Sequence, residues 1–177
     1  LDVHLHPAGL RVAGDKISDD IIRFARDEFK LLLGERTAEE VKIAIGSALE
    51  LDTKLESPMR GRDLISGLPK EVIVTDAQIR RATSQSVAAI VNAIKTTVEE
   101  TPPELVADIM HRGIVLAGGG SLLKRLDDLV ALETKIPTRV TEDPLTAVVR
   151  GTGLILEDLD ALRPVLVPSQ YAARLRI

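Results

Sequence analysis

A short apolar run at residues 113–117, Gly-Ile-Val-Leu-Ala, leads into three consecutive glycines and then a segment with helical periodicity. The run is too short for a helix and has the composition of a buried strand, so it predicts a strand, a turn without Cβ atoms and a helix. A second strand candidate at residues 136–140 precedes another helical segment that runs to about Leu159. Strands that alternate with helices predict parallel pairing. The sequence therefore indicates an α/β fold around a small parallel sheet.

Three threonines predict helix starts, because Glu or Gln follows each one at capping-box spacing. The pairs are Thr37 with Glu40, Thr75 with Gln78, and Thr101 with Glu104. The predicted helices span residues 37–48, 75–100 and 102–111. An earlier helix is predicted from Ser18, as its N-cap, to Gly34, after a strand in residues 1–13 that is broken at Pro7. Turn residues in segment 54–74 predict a small antiparallel unit.

The composition excludes several classes of function. No cysteine is present, which excludes disulfide scaffolds and cysteine nucleophiles, and three histidines leave little for a zinc site. The net charge is −4 and only 2% of residues are aromatic, so we expect no nucleic-acid partner. Apolar runs stop well before the roughly 20 residues of a membrane span. The composition leaves three classes of function open: an enzyme lobe, a small-molecule binding domain and an assembly module. We expect a cytoplasmic location.

The glycine turn is the first candidate binding site, formed by Gly118, Gly119, Gly120 and Ser121. Residues without Cβ let the backbone lie flat against a ligand, and free N–H groups at the following helix start favour an anion such as phosphate. Ligands also bind beyond the carboxyl ends of parallel strands. The turn is not the dinucleotide fingerprint, because Leu123 replaces the third glycine. A tight turn that binds nothing has the same spacing, so both interpretations stay open.

Glu39 and Lys42 form the second candidate site. Residues three apart on a helix share a face, so the carboxylate can accept from sugar hydroxyls while the ammonium approaches a base or a phosphate. A solvated ion pair has the same spacing and contributes only a few tenths of a kcal/mol. The residues alone do not separate these two interpretations.

Several strings between about Leu10 and Leu159 resemble the bacterial actin-like MreB family in order and spacing. They include Arg11-Val-Ala-Gly-Asp15, Gly34-Glu-Arg-Thr-Ala-Glu-Glu-Val-Lys42, Arg60-Gly-Arg-Asp-Leu64, Thr101-Pro-Pro-Glu-Leu105 and Arg112-Gly-Ile-Val-Leu-Ala-Gly-Gly-Gly120. The resemblance implies an actin-like (ribonuclease H-like) fold with two lobes around a nucleotide cleft. It also implies ATP binding with magnesium, slow hydrolysis, and self-assembly into filaments at the inner face of the membrane. There, with cell-wall elongation proteins, the family organises cell-wall synthesis and rod shape.

Under the resemblance, this chain corresponds to the second lobe. Residues 1–14 and 81–177 would form its larger subdomain, and residues 15–80 the smaller, helix-rich one. Gly118, Gly119, Gly120 and Ser121 would match the adenosine-side turn, while Glu39 and Lys42 would match the ribose and base contacts. We therefore expect Gly119 and Lys42 to face one cavity.

The family's first lobe and its Asp-x-Gly phosphate hairpin have no counterpart in this sequence. Phosphoryl transfer depends on positioned, charge-neutralised phosphates. We expect that the chain alone does not hydrolyse ATP and binds it weakly or not at all, and no catalytic residue or metal ligand is predicted in it. We also expect an unpaired edge in the larger sheet, which invites pairing with another chain. The alternatives are the nucleotide lobe of an actin-superfamily sugar or acetate kinase, and an interaction module that has lost nucleotide binding.

Overall fold

The structure, a computed structural model, describes residues 14–157. The helices are α1 (Gly14–Phe29), α2 (Glu35–Ile45), α3 (Asp76–Glu99), α4 (Pro103–Arg112), α5 (Leu126–Thr134) and α6 (Ala147–Glu157). The strands are β1 (Leu31–Leu32), β2 (Glu56–Asp63), β3 (Pro69–Thr75), β4 (Ile114–Leu116) and β5 (Thr138–Val140). The strand predicted in residues 1–13 lies outside the described residues.

Strands β1, β2 and β3 form a three-stranded antiparallel sheet in that order. Strands β2 and β3 pair from Glu56↔Thr75 to Arg62↔Pro69, so the antiparallel unit predicted for residues 54–74 is confirmed. The additional strand β1 was missed, because its residues were assigned to the preceding helix. That helix ends at Phe29 because Lys30 adopts a left-handed conformation, with φ of 53°.

Strands β4 and β5 pair in parallel, with α5 as the crossover between them. The predicted parallel arrangement is therefore confirmed. Gly113, which precedes β4, has a φ of 78°, and a Cβ there would lie 2.5 Å from the carbonyl oxygen of Pro137. Only glycine permits this close approach of the two chain segments. Among residues 14–157, β4 pairs with β5 alone, so its other edge carries no strand from this range.

Two clusters of buried apolar side chains form the core. The first packs α1 and α2 on the antiparallel sheet and includes Ile21, Ala25, Leu31, Val41, Ile45, Met59, Val74 and Ile79. The second joins α1, α3 and α5 and includes Ile17, Val87, Val91, Leu126 and Val130. Helices α1 and α3 each contribute to both clusters. Two continuous helices therefore connect the two parts of the core.

A buried carboxylate fixes α1 against α3. Asp20 is 6% exposed and accepts hydrogen bonds from the hydroxyl of Ser86 and, at 2.7 Å, from Nζ of Lys16. Arg23 lies 3.5 Å from the same carboxylate. A buried charge is costly unless it is paired and hydrogen-bonded, so these partners are required. Because they come from both helices, they hold α1 in one rotation on α3.

A second buried carboxylate, Asp76, joins the start of α3 to the chain before β2. It accepts from the backbone N–H of Leu55 at 3.1 Å and from Arg80 at 3.0 Å. Burial favours a higher pKa for Asp76, but the hydrogen bonds from Leu55 and Arg80 outweigh it and hold the pKa below its usual range. Arg80 also donates to the Ser47 hydroxyl at 3.2 Å, which ties the segment after α2 to the same helix.

One of the three predicted capping boxes forms. The Thr75 hydroxyl accepts from the backbone N–H of Gln78, and the Gln78 side chain accepts from the backbone N–H of Thr75. The prediction at Thr37 is wrong, because α2 already begins at Glu35, with Gly34 as an N-cap that provides no side-chain hydrogen bond. Thr37 therefore lies within the first turn of that helix.

The predictions at Thr101 and Ser18 are also wrong. Pro102 takes the N-cap position of α4, and the Thr101 hydroxyl donates backwards to the carbonyl oxygen of Thr97 in α3. Helix α1 begins at Gly14, so Ser18 lies inside the helix, where it is buried. The partner of Thr101 lies four residues back in the chain, whereas the partners of Ser18 lie on α2, where the local pattern does not reveal them.

The contrast between the two threonines gives a stability prediction. Thr75→Ala removes the side-chain acceptor of a formed cap and should lower the free energy of unfolding by about 1 kcal/mol. Thr37→Ala, with no cap to lose, should change it by less than about 0.5 kcal/mol. Denaturant unfolding of both variants measures the difference. Equal losses would show that the cap at Thr75 contributes nothing specific.

Candidate functional site

One large cavity, with a volume of about 1300 Å³, is lined by residues from α1, α2, α3, α4 and the end of β4. Its polar lining includes Asp15, Glu39 and Lys42, and the backbone of the glycine turn contributes Gly118 to Ser121. Its apolar lining comes mainly from α3, α4 and β4, and includes Ile90, Ile94, Val98, Leu105, Ile109, Ile114 and Leu116. Gly119 and Lys42 thus line the same cavity, as we expected. That these residues bind a ligand remains a prediction.

Lys42 connects the polar lining of the cavity. Its side chain is 13% exposed, and its Nζ donates to Glu39 Oε2 at 2.5 Å, to the carbonyl oxygen of Gly14 at 3.1 Å and to Ser18 Oγ at 3.2 Å. An ammonium group has three N–H bonds. These contacts use all three, so Lys42 ties α2 to the first turns of α1. The ammonium thus has three acceptors within the described chain, and its contact with a base or a ribose remains a prediction.

Glu39 presents a fixed carboxylate to the cavity. Its Oε2 accepts from Lys42 and, at 2.9 Å, from the Ser18 hydroxyl, while the side chain as a whole is 47% exposed. The hydrogen bond from Lys42, opposed by partial burial and helped by Ser18, holds the pKa of Glu39 below its usual value. The group is ionised at neutral pH. Within the described chain no hydrogen bond reaches Oε1, which is left as an acceptor for a ligand.

The glycine turn presents backbone without side chains. Gly118 has a φ of 84°, a conformation that favours glycine, and its N–H donates to the carbonyl oxygen of Pro144 at 2.7 Å. A Cβ added to Gly120 would meet no atom within 4 Å, and one added to Gly119 would meet only Leu145, at an ordinary 3.5 Å. Packing among the described residues therefore does not require glycine at these two positions. A ligand that lies flat on the turn would require it.

The segment after the turn differs from the prediction. The sequence predicts a helix directly after the glycines, but a four-residue 3-10 helix, Gly119–Leu122, comes first, and α5 begins only at Leu126. The cause is Lys124, which bridges to Ser47 and donates from Nζ to two carbonyl oxygens at the end of α2. So short a helix carries little dipole, and the argument for a phosphate at a helix start does not apply here.

Ser121 shapes the turn from within. It is 6% exposed, and its hydroxyl donates to the carbonyl oxygen of Gly118 at 2.7 Å. The side chain closes the turn on itself, and its contribution to a ligand site is the backbone that it holds in place.

Magnesium has no ligand set in the described part of the chain, because no three His, Asp or Glu side chains converge there. Mg²⁺ at a nucleotide site usually takes one or two protein carboxylates and otherwise phosphate and water oxygens, so the described residues alone form no protein cage for it. No helix within residues 14–157 has the length and hydrophobicity needed to cross a membrane.

Ser18 and Gly14 were missed as parts of the site. Ser18 was interpreted as an N-cap, although it lies between Ile17 and Ile21 on the buried face of α1. A polar residue on a buried face needs a partner, and that position was the available signal. The partners themselves, Glu39 and Lys42, lie on another helix, so no local pattern identifies them.

The sequence model of the MreB/Mbl protein family matches residues 5–164. The cell shape-determining protein Mbl of Bacillus subtilis is 44% identical over 155 residues, which cover 88% of this chain and 46% of that protein. The cell shape-determining protein MreB of Escherichia coli is 42% identical over 156 residues, which cover 88% of this chain and 45% of that protein. The chain thus spans about half the length of these curated relatives.

Solved structures agree with the sequence comparisons. MreB5 of Spiroplasma citri bound to ADP superposes with a TM-score of 0.81 at 35% identity, over 85% of this chain and 46% of that one. A MamK double helical filament superposes with a TM-score of 0.67 at 20% identity, over 84% of this chain and 46% of that one, which shows the fold alone. The chain has the actin-like fold, and it belongs to the MreB/Mbl family of actin-like cell shape-determining proteins.

Proposed function

We propose that this chain provides the nucleoside-binding side of an ATP site in an actin-like protein that assembles into filaments. The observation that carries the proposal is the convergence of Glu39 and the Gly118–Gly120 turn on one cavity. Two solved structures of one relative, MreB5 of Spiroplasma citri bound to ADP and to AMPPNP, support a nucleotide as the ligand.

Each part of the site receives a distinct role. The open backbone at Gly118, Gly119 and Gly120 lies against the adenosine, because no Cβ stands in the way. Glu39 accepts a hydrogen bond from a ribose hydroxyl at its free Oε1, and the ionised acceptor makes that bond stronger than a neutral one. Lys42 holds Glu39 in place, and Ser121 holds the turn.

The described residues offer the phosphates of ATP few positive charges. Among residues 14–157, two cationic side chains line the cavity, and the N–H bonds of Lys42 already have three acceptors. The other, Arg112, ends α4 before β4, whereas the glycine turn follows β4 at its opposite end. Charge neutralisation of ATP, with magnesium and hydrolysis, is therefore assigned to groups outside the described residues.

The family supports the wider role. We place the protein in filaments at the cytoplasmic face of the membrane, where cell-wall elongation proteins are its partners in maintaining rod shape. The MamK filament, a relative in fold, supports self-assembly. The first apolar cluster lies wholly within residues 15–80 and supports a smaller subdomain of that range, with residues 81–177 and 1–14 as the larger one; the second cluster also takes Ile17 from the smaller subdomain.

The ribose contact is tested by Glu39→Gln in the 177-residue chain. Loss of one charge-assisted hydrogen bond should weaken adenosine binding about tenfold, as measured by NMR titration of the glycine-turn amides. Glu40→Gln is the matched control, since Glu40 lies on the same helix, is exposed and pairs with Arg36. Equal effects of the two substitutions would contradict the assignment.

A second prediction concerns the phosphates. The 177-residue chain should bind ATP no more than about threefold more tightly than adenosine and should not hydrolyse ATP with Mg²⁺, because the described residues neither position nor neutralise the phosphates. Calorimetry and a phosphate-release assay measure both. Micromolar affinity for ATP would overturn the prediction. Failure to bind either ligand would favour an interaction module that has lost nucleotide binding.

Assembly is tested on the complete product of the gene that encodes this sequence. Sedimentation with ATP should pellet the protein, and an AMP control should not. Absence of a pellet across nucleotide, salt and temperature conditions would count against a filament protein.

A further inference from the structure

We propose that Ser18 is a positioning residue whose hydroxyl fixes Glu39 so that the site prefers ribose to deoxyribose. The inference rests on the proposed function, because it takes Glu39 as the acceptor for a ribose hydroxyl. It adds Ser18, on α1, to a candidate site that otherwise consists of Glu39 and Lys42 on α2 and of the glycine turn. The sequence predicts Ser18 as an N-cap, and no motif marks it as part of the site.

The contacts of Ser18 define its role. The side chain is 7% exposed, its Oγ accepts from Lys42 at 3.2 Å, and Oγ lies 2.9 Å from Glu39 Oε2 and 3.2 Å from the carbonyl oxygen of Gly14. A hydroxyl has one proton to donate. The proton goes to Glu39, because that contact is the shorter one and its acceptor is charged.

The hydrogen bond from Ser18 is the one that connects Glu39 to another helix. Lys42 lies on the same helix as Glu39, three residues along, so the ion pair by itself fixes the carboxylate only relative to α2. Ser18 lies on α1, which is itself fixed on α3 through Asp20. The two donors together hold Oε2 and leave Oε1 for the ligand. A half-exposed glutamate without them retains its rotamer freedom, and binding then has to restrict it.

A fixed carboxylate discriminates between sugars. When a ligand lacks the hydroxyl that Oε1 accepts, a held Glu39 keeps an unsatisfied, partly desolvated oxygen in the occupied cavity. A glutamate free to rotate turns to water and avoids that penalty. Loss of the Ser18 hydroxyl should therefore reduce the preference for ribose more than it reduces affinity in general.

The experiment compares adenosine with 2′-deoxyadenosine and 3′-deoxyadenosine on the 177-residue chain. The unaltered chain should bind at least one deoxy analogue about tenfold more weakly than adenosine. In Ser18→Ala that ratio should fall to about two to three. The control is Ser84→Ala, since Ser84 is an exposed helical serine whose hydroxyl donates only to the backbone of Arg81. Thermal unfolding confirms that each variant is folded.

A second readout tests the contact without a ligand. Carbon-detected NMR titration of the Glu39 carboxyl should show a higher pKa in Ser18→Ala than in the unaltered chain, because a donor to the ionised form is lost. Ser18→Thr, which keeps a hydroxyl, should retain the lower pKa and the sugar preference. An unchanged Glu39 pKa in Ser18→Ala would overturn the contact on which the proposal depends.

The outcomes separate this proposal from the one on which it rests. If adenosine binds and Glu39→Gln weakens it, but Ser18→Ala leaves the ribose-to-deoxyribose ratio unchanged, only the role of Ser18 is overturned. The same holds if Ser18→Ala weakens all three ligands equally, since that is the effect of a merely structural residue. If the unaltered chain binds no adenosine, both proposals are overturned.

Discussion

The site depends on a charge that the fold nearly removes from water, the Lys42 ammonium group. Its side chain is 13% exposed, and withdrawing an ammonium from water costs several kcal/mol unless its N–H bonds find acceptors. Its three acceptors lie on Gly14, Ser18 and Glu39. Helix α2 can therefore pack on α1 in only one rotation and register. That packing brings the Glu39 carboxylate to the wall of the cavity.

Buried polar contacts also fix the connection between the two apolar clusters of the core. Apolar contacts in both clusters supply most of the stabilisation, but apolar packing tolerates shifts. Buried polar contacts do not, because each displaced donor or acceptor stays unsatisfied. Asp20 with Ser86, and Arg80 with Ser47, lie where α1 and α3 pass between the clusters. The relative position of the Glu39 helix and the glycine turn is thus set by a few directional contacts on two continuous helices.

Hydrophobic runs and capping spacings predicted the elements that are determined by neighbouring residues in the sequence. The strand before the glycines, its parallel partner and the capped start of α3 follow from hydrophobic runs and the Thr75–Gln78 spacing. Distant contacts caused the failures. The delayed start of α5 depends on the contact between Lys124 and the end of α2. Ser18 contacts Glu39 and Lys42, which lie 21 and 24 positions further along the chain. The sequence identifies Glu39, Lys42 and the glycine turn as candidate binding residues. Their positions around one cavity are visible only in the structure.

The proposed function bears on how such a protein would distinguish ATP from ADP. Adenosine and ribose are the same in both nucleotides, so under the proposal Glu39 and the glycine turn would make the same contacts with either. A ligand shifts a conformational equilibrium only through contacts that differ between the two states. In the proposed function this half therefore anchors the nucleotide in both states, and the response to hydrolysis originates where the phosphates are held.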